Sequence, residues 1–203
     1  MDVGKIGDPI VRLWETSAAD KGEWLALSHR WGLKPHFSTT TENRKAHLAG
    51  ISTDKLPATF RDAVLVTRAL ECRYLWIDSI CIVQEGKDVD FNKEAKRMEE
   101  VYSGAKCVIA ASRASSHGDG FLKSKLERNY VGLRREQDND APFYICDMID
   151  NFNEDILDGA MNKRGWILQE HALARRTIFF DEHQTYWECG HGIRCETMNT
   201  LQK

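Results

Sequence analysis

The chain has 203 residues, 42% of them apolar and 29% charged, with a formal net charge of −3. That length suffices for one well-buried domain, and residues 1–203 read as a single domain with its core over about 24–189. Charges of both signs are interspersed, so no basic field offers itself to nucleic acid, and no apolar run reaches the roughly eighteen residues of a membrane helix.

Met1 to Asp8 lack the basic-then-apolar pattern of a secretory signal. Six cysteines are scattered at Cys72, Cys81, Cys107, Cys146, Cys189 and Cys195, three of them inside apolar runs. Reduced, buried thiols in a cytoplasmic protein fit that usage better than a disulfide framework.

Two short apolar segments open the chain, Ile10 to Trp14 and Trp24 to Ser28, and the polar link between them predicts a hairpin. Leu33 to Lys55 is polar and reads as a loop with a short helix near Glu42 to Ala49. Pro57 stands where a helix begins, because its missing amide is an orphan there in any case. Phe60, Ala63, Val64, Thr67 and Leu70 then recur at helical spacing. Tyr74 to Val83 is almost continuously apolar, the pattern of a strand covered on both faces. A second helix is predicted over Phe91 to Tyr102, stopped by Gly104, and Cys107 to Ala111 is a short buried strand.

Strand, helix, strand, helix, strand in that order points to a parallel sheet with covering helices. Ser112 to Asp140 reads as a flexible connection, and Phe143 to Ile149 as a strand. After a helix at Trp166, Thr177 to Phe180 and Thr185 to Cys189 form a hairpin. The class is therefore α/β, a largely parallel sheet with flanking helices and an added C-terminal β-hairpin.

Three places carry residues fit for chemistry. Ser28-His29-Arg30-Trp31-Gly32 follows the first buried strand and should emerge at its end. There Ser28 can donate and accept, Arg30 can pair with phosphate, Trp31 can stack, and Gly32 permits close backbone approach. Ser28 and His29 are not a nucleophile and its base, because neighbours on a strand point to opposite faces. Asp78 interrupts a core-like run, so it either caps a neighbouring loop or lies at a strand's end facing a cleft. Arg164-Gly165-Trp166-Ile167-Leu168-Gln169-Glu170 sets an indole and a carboxylate four residues apart on a helix, with a guanidinium nearby. That trio suits a flat, phosphate-bearing ligand, or else a core Trp with solvated neighbours. His183, Cys189, His191 and Cys195 lack the tight CxxC spacing of structural zinc, and neither glycine-rich phosphate loop occurs.

Taken in order, these blocks resemble the fungal heterokaryon incompatibility (HET) domain. The matching pieces are Leu27 to Gly32, Leu56-Pro57-Ala58-Thr59-Phe60-Arg61-Asp62-Ala63, Tyr74 to Gln84, Glu94 to Tyr102, and Arg164 to Glu170. His29 stands where that family often has Tyr, and Phe91 where it often has Trp; both keep an aromatic ring. The resemblance implies the effector domain of a longer protein, with a role in non-self recognition and regulated cell death.

The domain is also distantly similar to Toll/interleukin-1 receptor (TIR) domains, whose sheet is flavodoxin-like. Some TIR domains hydrolyse NAD through a glutamate four residues after a Trp, the spacing of Trp166 and Glu170. The likeness therefore implies NAD as substrate rather than cofactor, no metal, and Glu170 as the catalytic anion beside the ribose. Trp31 or Trp166 would face the nicotinamide ring, and Arg30 or Arg164 would hold phosphate. Ser28 and Gln169 would lend hydrogen bonds, with Asp78 positioning one of these groups or the ribose. It further implies homo-oligomerisation on activation and a sensor domain or partner protein. A non-enzymatic death-signalling module that recruits partners is the alternative.

Overall fold

Continuous apolar runs in this chain become the middle strands of a sheet, because only strands covered on both faces can bury every residue. The computed structural model describes residues 1–17, 19–33, 35–84, 97–122, 130–133, 143–146, 150–159, 170–196 and 200–201. Strands β2 (Trp24–Ser28), β4 (Tyr74–Trp76), β5 (Cys107–Ala110) and β8 (Arg176–Phe180) pair in parallel, in the order β4-β2-β5-β8. Numbered along the parallel strands alone this is 2-1-3-4, the flavodoxin order expected from the resemblance. Strands β9 (Thr185–Cys189), β10 (Gly192–Cys195) and β11 (Thr200–Leu201) extend the same sheet in antiparallel fashion. The expected C-terminal hairpin is β8–β9, and it continues for two further strands.

Helix α2 (Ala58–Ala69) covers one face. Its Phe60, Ala63 and Val64 share a core with Leu25, Leu27, Leu75 and Ile109, the alternate residues of β2, β4 and β5. On the opposite face Ala26 and Val108 meet Tyr102 of α4 (Met98–Gly104), with Leu173 packed beside them. A third cluster, farther along that face, joins Ala110, Phe179, Tyr186 and Ile193 to Phe152 and Ile156. The last two flank or belong to a π-helical turn, Asn153–Leu157. Helices on both faces of a parallel sheet make the three-layer α/β arrangement. No helix among the described residues is long and apolar enough to cross a membrane.

Several local expectations change. β1 (Ile10–Val11) does not form a hairpin with β2; it pairs antiparallel with β3 (Ile51–Ser52), just after α1 (Arg44–Ala49). The continuous strand expected over 74–83 ends at Trp76, and α3 (Asp78–Cys81) begins at once. Asp78 is the first residue of that turn, and its carboxylate accepts the backbone N–H of Ser79 at 2.6 Å. The supposed connection over 112–140 contains β6 (Tyr130–Leu133), which forms a separate ribbon with β7 (Phe143–Cys146). Gly104 is the last residue of α4 rather than the first beyond it.

Candidate functional site at the carboxyl end of the parallel strands

In an open parallel sheet, ligands bind beyond the carboxyl ends of the strands where the strand order reverses. Here that point lies between β2 and β5, whose ends are Ser28 and Ala110, cross-strand partners in register. Rows of side chains run across the same face: Ser28, Ala110, Phe179 and Tyr186 in one, Ala26, Val108, Thr177 and Glu188 in the next. Serine and alanine leave space that larger residues would fill. The space is a cavity of about 330 Å³, lined among others by Ser28, Arg30, Ala110, His171, Thr177 and Phe179.

Ser28 donates its hydroxyl to Glu170 Oε2 at 2.5 Å, joining residues 142 apart in sequence. Both are buried, with 2% and 7% of their surface exposed. The phenol of Tyr102 lies against the same carboxylate. Burial foremost, then the charges of Glu170 and Asp78, hold its pKa well above the usual phenol range. Two carboxylates that the sequence set 92 positions apart therefore act on one buried hydroxyl.

Arg30 lines the cavity and donates Nε–H to the Ala114 carbonyl at 2.9 Å, tying down the loop after β5. Gly32 (φ +78°) completes that attachment: a Cβ there would stand 2.4 Å from Ser116 Cβ, so only glycine fits. Trp31 donates its indole N–H to Asp78 Oδ2 at 2.7 Å, and His29 Nδ1 lies 3.9 Å from Oδ1 of the same carboxylate. Neither Trp31 nor Asp78 is among the described residues that line the cavity. The carboxylate thus finds its donors in its own loop and the loop after β2. The structure hydrogen-bonds Ser28 to Glu170, sets Ser28 and Arg30 on the cavity wall without Glu170, and pairs Trp31 with Asp78. Arg164, Trp166 and Gln169 lie outside the described residues.

Several polar groups of the cavity were not legible in advance. His171 follows Glu170 in the helical turn 170–173, lines the cavity, and contacts Glu188 Oε2 through Nε2 at 2.5 Å. The signal was parity: Tyr186 and Glu188 alternate along β9, so Glu188 shares the inward face. Asp155 and Asp181 also line the cavity, and with His183 they bring ligand atoms within 4.8 Å of one another. These groups largely serve each other. Asp155 accepts from the Tyr186 hydroxyl, and His183 Nδ1 lies 3.4 Å from Asp155 and 3.6 Å from Asp181. Burial raises the Asp181 pKa above the ordinary carboxylate value.

The family model for the heterokaryon incompatibility protein (HET) matches residues 24–170, more than half of the chain. The chain belongs to the heterokaryon incompatibility family. The match opens on β2 and closes on Glu170, so the Ser28–Glu170 hydrogen bond joins the two ends of the HET domain. A role in heterokaryon incompatibility follows from that membership. No curated protein and no solved structure matches the chain.

Proposed function

We propose that this HET domain hydrolyses NAD, or a closely related nicotinamide nucleotide, to nicotinamide and ADP-ribose products, and that it does so as a homo-oligomer in the cytoplasm. The observation that carries this is the Ser28–Glu170 pair at the carboxyl end of β2, beside a cavity that Ser28 and Arg30 line. Cleavage breaks the bond between ribose C1′ and the nicotinamide nitrogen. The electron pair departs with neutral nicotinamide, and positive charge develops on the ribose. An anion close to that charge stabilises the transition state more than the ground state, and Glu170 supplies it. Arg30 suits the pyrophosphate, with Arg164 as a second cation. Trp166 offers a surface for the ring, Gln169 a further hydrogen bond, and the Trp31–Asp78 pair a rigid flank. NAD enters as substrate, with no cofactor or metal required.

The experiment follows nicotinamide release from assembled protein, comparing wild type with Glu170→Gln. Release by wild type and its loss in the variant support the proposal. Equal turnover removes Glu170 from catalysis, and no turnover under any assembly condition overturns the enzymatic account.

The burial of Glu170 favours a second reading, in which the Ser28–Glu170 bond anchors the last helix to the sheet and the domain recruits a partner or obeys a sensor domain. Glu170→Gln would then melt well below wild type. Loss of toxicity with a normal melt supports chemistry instead.

A further inference from the structure

In the turn 170–173, successive side chains diverge by roughly 100°. Glu170 turns to Ser28 and Tyr102, whereas His171 turns along the sheet to the cavity. Its ring packs edge-on against Phe179, with centroids 5.0 Å apart. Its Nε2 lies 2.5 Å from Glu188 Oε2, and both side chains are largely buried. A carboxylate only accepts hydrogen bonds, so Nε2 carries the proton that Glu188 receives; in the neutral imidazole this leaves the lone pair on Nδ1. That Nδ1 makes no hydrogen bond among the described residues.

We propose that His171 is the general base of the cavity, accepting a proton at Nδ1 from the water that attacks the substrate, with Glu188 as the positioning residue that fixes its tautomer. This deepens the NAD-hydrolysis reading and rests on it. As the C1′–nitrogen bond breaks and its electron pair leaves with nicotinamide, the water oxygen bonds to C1′. The water proton passes to His171 Nδ1 and then to solvent. Glu170 and His171 thereby divide the work: one steadies the cation, the other readies its captor.

The division is measurable, because a pyridine nucleophile has no proton to lose. Assembled protein is given NAD with and without 3-acetylpyridine, and hydrolysis is scored separately from base exchange. General-base catalysis contributes about 10²–10⁴-fold. His171→Gln is therefore expected to lower hydrolysis by about 100-fold or more while base exchange stays within about threefold; Glu170→Gln loses both. Unchanged hydrolysis in His171→Gln, or equal loss of both reactions, overturns the role of His171 and leaves that of Glu170 standing. A wild type that releases no nicotinamide overturns the hydrolysis reading and this role together. Should His171→Gln unfold, the unaltered protein decides. Nitrogen-15 spectra of His171 are expected to show the Nε2–H tautomer, and a mixture of tautomers in Glu188→Gln. A native Nδ1–H tautomer refutes the proposal.

Discussion

Replacing Ser28 by Ala removes one hydroxyl and leaves the Glu170 carboxylate short of a donor in a place water barely reaches. A hydrogen bond to a charged group contributes about 1.5–3 kcal/mol, and Tyr102 still borders the carboxylate once the Ser28 hydroxyl is gone. Solvent screening, which reduces exposed pairs to about 0–1 kcal/mol, is weak at this depth. Ser28→Ala is therefore expected to lose about 2 kcal/mol. For a chain of this size that is a drop of about 4–8 °C in Tm. Thermal melts of wild type, Ser28→Ala, Glu170→Gln and the double variant close a cycle. Because both groups serve one bond, a coupling of at least about 1 kcal/mol is expected, with the double variant melting above the additive value. Additive losses would show that the two residues are not a unit, and the anchoring of the last helix to β2 would have to be sought elsewhere. A Ser28→Ala protein that melts with wild type refutes the reasoning outright.

Ala110→Leu puts a branched side chain into the cavity from the row that Ser28 and Phe179 share; the protein should still fold, and nicotinamide release should vanish, checked by melting and by turnover on the same sample. Burial pushes the Cys107 thiol up to about 12, so iodoacetamide at pH 8 should label half-buried Cys81 and Cys189 and spare Cys107 until urea unfolds the chain, as read by peptide mass mapping. Burial raises the Asp181 pKa above the ordinary carboxylate range. Below the unfolded value both states are protonated; above the folded value the native state carries a poorly solvated charge, so this stabilising contribution is lost as pH rises through the folded pKa. Asp181→Asn is accordingly expected to be more stable than wild type at pH 7 and to match it near pH 3, in paired urea titrations.

The parts of the fold that rest on local pattern were open to reading. Trp24 to Ser28 and Cys107 to Ala110 announce buried parallel strands because nothing in them needs water, and Phe60, Ala63 and Val64 announce the helix that covers them. What failed was non-local. Ile10–Val11 is visibly a strand, yet alternation does not name a partner, and Ile51–Ser52 wins over the nearer Trp24–Ser28. Tyr74 to Val83 looks like one strand because Ile77, Ile80 and Ile82 are buried equally well in a strand, a helical turn or a bend. Only Asp78, reaching the N–H of Ser79, marks the change. In the site, Ser28 and Glu170 could be named from the resemblance. Tyr102 could not be told from the apolar stripe of its helix, and the cavity has no motif because it consists of missing side-chain volume.

That missing volume is the link between the fold and the proposed site. On the α2 face, Leu25, Leu27, Leu75 and Ile109 close the sheet with bulk, as packing at organic-crystal density requires. On the other face the same strands present Ala26, Ser28 and Ala110, which cannot fill the layer by themselves. Tyr102 fills it above Ala26 and Val108, and Phe152 and Ile156 fill it above Phe179 and Tyr186. Between these two plugs, at the switch in strand order, the sheet is left open, and the polar atoms of Ser28, Arg30, Thr177 and His171 border the opening. A gap bordered by polar groups has room and partners for ordered water or a ligand. The hydroxyl of Ser28, which lines the opening, holds the buried carboxylate of Glu170. Enlarging the small residues would fill the opening, so Ala110→Leu tests the proposed ligand site against a mere gap in the core.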